Sequence, residues 1–412
     1  MERVVVTGLG ALTPTGLTAE EFWQACKDGR HGFVPLEEVI PGHQSKVKVV
    51  APVKDFVPKD HLDRKQVKRL DRYTQLAMVA ARQAFAQANF EKDALKSSRI
   101  GVYMGTGVGG IGTVEEEHKK YLGNGEKFVN PLYMPKWLPN IAAGQIAIDL
   151  SLQGQTHTTM TACASGVNAI GEATRAIRHG YSQAILAGGA EACITPSMLA
   201  GFANMNAHTA SENVDRASIP FDADRSGFVL GEGAGFLMLE SLTHAQQRGA
   251  HILAEVVGYG CSTDAYHVTS PHPEGRGAVE AMEQALEEAG VGPEAIDYIN
   301  AHGTSTPQND RVETLAVKTV FGAGASAVAV SSTKSMIGHL QGAAGAVEAV
   351  VCVHALLEGF VPPTVGSGKP DPDCDLDYVL GQGRHQDLQY VMNNGFGFGG
   401  HNGSLVFKKA DF

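Results

Sequence analysis

The feature that most restricts how this chain can fold is a repeated grammar in which a short apolar run meets glycine and helical periodicity follows. Residues 4–9 form such a run beside Gly8 and Gly10, and a helix is predicted over residues 19–27. The run at 99–104 opens onto Gly105-Thr106-Gly107-Val108-Gly109-Gly110, and that at 184–187 onto Gly188-Gly189-Ala190-Glu191. The strand predicted at 236–240 follows a glycine-rich run at 227–235. Continuous apolar strands of this kind are buried on both faces, which calls for helices on either side of a sheet. From about residue 251 the grammar begins again, with strands at 252–258, 296–301, 328–332 and 390–394, an amphipathic helix at 278–289 and a buried helix at 342–357. By order of elements the helix after Cys163 corresponds to the helix from Gly342, so an internal duplication is the simplest account, divided into residues 1–250 and 251–412. Residues 113–150 interrupt the pattern, with a charged helix at 115–121 and a loop punctuated by Pro131, Pro135 and Pro139.

The stretch Thr156-His157-Thr158-Thr159-Met160-Thr161-Ala162-Cys163-Ala164-Ser165-Gly166-Val167 sits at one junction of this grammar. Its threonines suit a strand. Val167, Ile170, Thr174 and Ile177 then recur at helical spacing, and Gly180 closes the helix. Cys163 therefore falls where a strand becomes a helix, and a thiol there feels free N–H groups and the positive end of the dipole, which favour thiolate. Taken alone, a free cysteine is more often a small buried hydrophobe. Two histidines change that balance. His302 opens His302-Gly303-Thr304-Ser305-Thr306-Pro307 after one strand, and His339 ends Lys334-Ser335-Met336-Ile337-Gly338-His339 after another. In open α/β sheets ligands gather beyond the carboxyl ends of strands, where Cys163, His302, His339 and Phe398 all map.

Composition excludes several other classes. A net charge of −11 argues against nucleic-acid binding. With 49 glycines the GxGxxG match at Gly105, Gly107 and Gly110 carries little weight, since a second match occurs at Gly395, Gly397 and Gly400. The six cysteines contain no CxxC pair, against a zinc module or disulfide scaffold. The chain enters its first strand at once, with no room for a signal h-region, and the apolar stretch 342–361 is broken by Glu348, His354 and Glu358, which fits a buried helix rather than a membrane span. A reducing cytoplasm is the expected location. On this acidic chain, residues 58–72 form a positive island with Lys59, Arg64, Lys65, Lys68, Arg69 and Arg72. It is either a solvated helix face or a dock for an acidic partner.

The runs around Cys163, His302 (with Asp310 and Glu313) and His339, together with the terminal Asn394-Gly395-Phe396-Gly397-Phe398-Gly399-Gly400, resemble the β-ketoacyl-acyl-carrier-protein synthases, the elongating type above all. The resemblance spans residues 4–407. It implies a thiolase-like α/β fold, two pseudo-duplicated αβαβα halves forming a five-layered sandwich, assembled as a homodimer. It further implies decarboxylative Claisen condensation of a Cys163-bound acyl chain with malonyl-acyl carrier protein. Cys163 would be the nucleophile, and His302 and His339 the N–H donors to the developing enolate. Lys334 and Glu348 would support them, and the backbone N–H groups of Cys163 and Phe398 would form the oxyanion hole, with the Phe398 side chain as gate. Thr304 and Thr306 match positions that contact the phosphopantetheine arm, and Val108 and Phe202 positions that contact substrate. Carrier-protein docking would fall to Lys65, Lys68, Arg69 and Lys127. No cofactor of its own is implied, since 4′-phosphopantetheine arrives on the carrier. Asn300, Glu348, Asn393 and Asn394 resemble a structural monovalent-cation site in relatives, whereas no local ligand spacing supports a catalytic metal.

Three positions depart from the family pattern. Val108 stands where relatives carry Ile or Phe, which implies a tunnel open to long chains. Asn206 replaces a frequent Arg, which puts weight on the lysines of the island. His401 replaces a common Thr, with no account of its role. Thiolase, which shares the fold, would need a second cysteine beyond Cys374, and the chain-initiating synthases pair histidine with asparagine where this chain has His339. A polyketide ketosynthase shares the motifs. A non-catalytic chain-length partner would lack the nucleophile that Cys163 supplies.

Overall fold

A computed structural model of the chain describes residues 1–90 and 100–411. Strand β1 (Val4–Leu12) is buried along its whole length near the middle of a ten-stranded sheet. The other strands are β2 (Ile100–Gly105), β3 (Thr156–Thr159), β4 (Ala184–Glu191), β5 (Gly233–Ser241), β6 (Ala254–Thr263), β7 (Tyr298–Asn300), β8 (Ala329–Ser331), β9 (Tyr390–Gly397) and β10 (His401–Lys409). Their order across the sheet is β8-β7-β9-β10-β6-β1-β5-β4-β2-β3. The predicted start of β2 at Arg99 lies outside the described residues.

The pairing repeats itself. In the first half β2 lies parallel to β3 and β4, β4 antiparallel to β5, and β5 antiparallel to β1. In the second, β7 lies parallel to β8 and β9, β9 antiparallel to β10, and β10 antiparallel to β6. The two five-stranded units meet where Val4, Val5 and Val6 pair antiparallel with Val256, Glu255 and Ala254. The glycines that punctuate the sequence serve the same purpose in each unit. A Cβ on Gly8 or Gly10 would fall 2.0 or 1.9 Å from the carbonyl oxygens of Ala84 or Ala80 on helix α1 (Arg72–Ala88). A Cβ on Gly258 or Gly260 would fall 2.0 Å from those of Ala285 or Ala281 on the helix Arg276–Ala289. Only glycine lets each helix lie that close to its strand.

The remaining long core helices are α2 (Ile141–Leu150) and α3 (Ser165–Arg178), then α4 (the helix Arg276–Ala289), α5 (Pro307–Phe321) and α6 (Ala344–Glu358). Helices α1 and α2 cover the outer face of the first unit, and α4 and α5 that of the second, each over its own apolar core. Between the two five-stranded units α3 and α6 pack against each other in a central core, their approach set by Gly166 against Ala346 and Gly345 against Val167. The result is five layers, as the resemblance implied. One expectation fails: the predicted loop with three prolines holds a short helix, Tyr133–Trp137, and α2 follows it within the same 113–150 stretch. Pro135 occupies the first turn of its helix, where its missing N–H needs no intrahelical partner, and Pro131 and Pro139 lie outside both helices.

Candidate active site

Edge strand β3 delivers the chain to Cys163 through a tight turn. Ala162 adopts φ +49°, a left-handed conformation that costs a non-glycine residue about 1–2 kcal/mol. The turn is held by Ser165, whose Oγ accepts from Thr161 N at 2.9 Å and donates to Ala162 O at 2.6 Å. Ala162–Ala164 then form one 3-10 turn and α3 begins. Against this turn lies the end of β9, where a Cβ on Gly397 would sit 2.8 Å from Thr161 O and 3.0 Å from Cys163 N. The same device recurs in the second unit. Gln341 adopts φ +46°, Gln341–Ala343 form a 3-10 turn, and α6 begins at Ala344. Gly342 thus stands in the second half where Cys163 stands in the first.

Cys163, His302 and His339 line one cavity of about 410 Å³, together with Thr304, Thr306, Gln341 and the end of β9 at Phe396 and Phe398. The two imidazole centroids lie 5.4 Å apart with the rings nearly perpendicular, at 84°. Phe228 meets His339 edge-on and Phe396 meets His302, which fixes both rings from the apolar side. Their backbones are fixed as well. Glu313 accepts from His302 N and Gly303 N, both at 2.7 Å, while His339 N donates to Val229 O at 2.7 Å and His339 O accepts from Gly231 N at 3.0 Å. Burial pushes Glu313 up to about 7 despite those two donors.

Burial, then the positive charge of Lys334, holds both imidazoles well below their ordinary range, with His339 lowering His302 further. Both rings are therefore neutral near pH 7. Lys334 itself is buried and ion-paired to Glu348, which is also buried. Neither lines the cavity, and they act on it through space. The expected thiolate is not the resting state. Burial pushes the Cys163 thiol up to about 12, against the pull of Lys334 and of the N–H groups of Phe398 and Cys163, while Glu191 pushes it further up. Removal of the sulfur from water outweighs the helix terminus. The backbone N–H groups of Cys163 and Phe398 thus both bear on the sulfur.

Two residues escaped the sequence reading. Gln341 accepts a hydrogen bond from the Cys163 thiol, Sγ to Oε1 3.6 Å. Glu191, fully buried at the end of β4, accepts through Oε1 from Thr106 Oγ1 (3.0 Å) and Val108 N (3.3 Å), and through Oε2 from Gly107 N (2.6 Å) and Gly342 N (3.0 Å). Burial pushes it up to about 7 against these donors. The glycine loop that mimics a dinucleotide fingerprint thus turns two of its N–H groups, those of Gly107 and Val108, to a carboxylate of the same chain. A single charged residue inside the apolar run at 184–192 was the only signal for it.

Val108 and Phe202 do not line the cavity; they join an apolar cluster with Cys193, Leu199, Phe228 and the half-buried Phe398, of which Phe228 and Phe398 line it. Thr304 and Thr306 share a 2.9 Å hydroxyl contact at its mouth. Asn206 is exposed at the same mouth, and His401 is half-buried and does not line it. Lys65, Lys68 and Arg69 are exposed on the helix Arg64–Arg69, started by an Asp63–Gln66 capping box, and make no ion pair among the described residues. Lys65 and Arg69 flank a separate groove with Leu132, Pro135 and Ile148. Lys127 lies on another turn, its ammonium 5.6 Å from the Phe128 ring, and does not line that groove.

The residues that resemble a cation site divide. Asn300 and Asn393 are neighbours in register on β7 and β9. Asn300 Oδ1 and Nδ2, Asn393 Oδ1 and Glu348 Oε2 are buried with no partner among the described residues. Orphaned buried oxygens of this kind fit a hard cation. Asn394 does not join them, because its Oδ1 accepts from Ser404 Oγ at 2.8 Å. Among the described residues no cluster of three His, Cys, Asp or Glu side chains could hold a metal, and no helix is long and apolar enough to cross a membrane.

Comparison with known proteins gives a consistent result. Residues 1–245 match the family described as beta-ketoacyl synthase, N-terminal domain, and residues 253–367 the corresponding C-terminal domain. The chain is 47% identical over 409 residues to the 3-oxoacyl-[acyl-carrier-protein] synthase 2 of Synechocystis sp., covering 99% of this chain and 98% of that protein. It is 44% identical to the Staphylococcus aureus (strain COL) protein of the same name, covering 100% and 99%. A beta-ketoacyl synthase from Burkholderia phymatum superposes with TM-score 0.92 at 35% identity over the whole of both chains. A ketosynthase solved with its type II polyketide acyl-carrier protein superposes with TM-score 0.91 at 33% identity, again over the whole of both.

Proposed function

The chain belongs to the β-ketoacyl synthase family, and from that premise we propose that its cavity performs the decarboxylative condensation which elongates a carrier-bound fatty acyl chain by two carbons. The observation that carries this reading is the convergence in one cavity of the Cys163 thiol, the two backbone N–H groups that bear on it, and two neutral imidazoles.

In the first stage Cys163 Sγ attacks the thioester carbonyl of the acyl carrier protein. The tetrahedral oxyanion is met by the N–H groups of Cys163 and Phe398, the carbon–sulfur bond to pantetheine breaks, and the thiol proton ends on the departing sulfur. In the second stage malonyl-carrier protein enters past Thr304 and Thr306. His302 and His339 donate ring N–H groups to its thioester carbonyl, carbon dioxide leaves, the enolate carbon attacks the acyl carbon on Cys163, and the acyl carbon–Sγ bond breaks to release a thiolate that takes a proton from solvent. Neutral donors suit this step because they stabilise charge that appears only in the transition state. Burial, helped by the Lys334 charge, keeps them neutral. Phe398 lines the cavity and Val108 and Phe202 belong to the apolar cluster behind it, into which the acyl chain extends in this reading, the small Val108 leaving room for long chains. A panel of acyl-carrier substrates from short to long, with malonyl-carrier protein as extender and mass-spectrometric readout, tests this. Loss of turnover above medium chains would contradict it.

Lys65, Lys68 and Arg69, which make no ion pair among the described residues, dock the acidic carrier in this reading. Charge reversal at Lys65 and Lys68 is expected to raise KM for carrier-bound substrate roughly tenfold at low salt and to flatten its salt dependence. Unchanged values would leave the island as plain solvated surface. The chain works as a homodimer in the cytoplasm: β3 leaves a sheet edge open, flanked by Met160 at 50% and Ile148 at 72% exposure, and all six cysteines are free thiols. Asn300, Asn393 and Glu348 hold a monovalent cation, which would neutralise the free Glu348 oxygen. Sedimentation and melting in potassium against choline chloride read both: a dimer is expected in each salt, with a lower Tm in choline. A monomer, or an unchanged Tm, would remove the respective assignment.

A further inference from the structure

The Gln341 side chain is nine-tenths buried and borders the nucleophile, yet only half of its carboxamide is used. Oε1 accepts from the Cys163 thiol, while Nε2 is buried with no partner among the described residues. An unpaired buried N–H donor is costly, and such groups persist where an acceptor arrives during function. The backbone around Gln341 is held on both sides. His339 is bonded through both its N–H and its carbonyl to the segment Val229–Gly231, and Gly342 N donates to Glu191. The residue is fixed in a left-handed conformation at φ +46°, so the freedom left is rotation of the carboxamide about its last torsion, which is a soft one.

We propose that Gln341 is a catalytic residue whose carboxamide follows the protonation state of the Cys163 sulfur, accepting from the thiol through Oε1 and turning to donate from Nε2 when the sulfur carries negative charge. The sulfur is anionic twice in the cycle. During acylation the S–H bond breaks, sulfur bonds to the acyl carbon, the carbon–pantetheine sulfur bond breaks, and the proton passes to the leaving thiol. During condensation the carbon–carbon bond forms, the acyl carbon–Sγ bond breaks, and the released thiolate takes a proton from solvent. At both points the amide N–H supplies a charge-assisted hydrogen bond that a resting thiol does not need. The charged and titratable groups that otherwise bear on the sulfur are Lys334, Glu191 and Cys193. His302 and His339 share its cavity and are neutral.

This inference rests on Cys163 being the acylated residue, and the test separates the two. Wild type, Gln341→Leu and Gln341→Glu are compared in single-turnover formation of labelled acyl-enzyme, in alkylation of Cys163 by iodoacetamide across alkaline pH, and in decarboxylation of malonyl-carrier protein. Gln341→Leu is expected to slow acyl transfer roughly tenfold to a hundredfold and to move the alkylation curve to higher pH, with decarboxylation within about threefold of wild type. Gln341→Glu, of equal size but with no N–H and added negative charge, is expected to lose at least as much. Absence of label on Cys163 in the wild type would overturn the nucleophile and this inference together. A wild type that is labelled, beside a folded variant with the same acylation rate and the same alkylation curve, would overturn the role of Gln341 alone.

Discussion

Replacing Cys163 with alanine is expected to abolish condensation, at least about a thousandfold, while decarboxylation of malonyl-carrier protein continues. The two activities separate because their groups stand on different parts of the frame: the sulfur on the turn after β3, the imidazoles beyond β7 and β8. The residual decarboxylation also reports the state of the rings. Burial and Lys334 hold both histidines well below 6.5, so the neutral form persists as pH falls from 8 to 6, and the rate should show no break near 6.5. Product analysis by mass spectrometry and carbon dioxide release across that range are the measurements. Condensation within tenfold of wild type would refute the nucleophile, and an inflection near 6.5 would refute the neutral donors.

His302→Ala should divide the reaction the other way. Decarboxylation is expected to fall about 100- to 1,000-fold, the usual loss when a donor to a developing oxyanion is removed. Acyl transfer to Cys163 should stay within about threefold, because the oxyanion donors proposed for that step are the backbone N–H groups of Cys163 and Phe398, which bear on the sulfur and do not involve the His302 ring. The fold should tolerate the change, since Glu313 grips the His302 backbone rather than its ring. Labelled acyl-enzyme formation and carbon dioxide release, measured on one preparation, decide the matter. Equal loss of both would contradict the division of roles.

Much of this was legible in the sequence because glycine and the reactive side chains leave local marks. Gly8 and Gly10 recur as Gly258 and Gly260, and each pair reports a helix lying on a strand. Cys163, His302 and His339 are each framed by short motifs at strand ends, and the structure brings all three to one cavity. What stayed hidden depends on partners remote in the chain. Glu191 is recognised by backbone N–H groups at 107, 108 and 342, which no spacing announces. Gln341 gains its meaning only from a thiol 178 positions away. The thiolate expectation failed for a related reason: a helix start can be read locally, whereas the extent of burial around the sulfur is a property of the assembled cavity.

The matched left-handed turns at Ala162 and Gln341 have a lasting consequence. If the halves descend from one ancestor, each could in principle have kept a nucleophile, but the second has lost the space for it. A side chain at Gly342 would place its first carbon 2.3 Å from Gly107 N and 2.5 Å from the Thr106 carbonyl carbon. The asymmetry is therefore a ratchet. In the proposed reaction one half attacks and the other furnishes hydrogen-bond donors, and no single exchange can return the pair to equality.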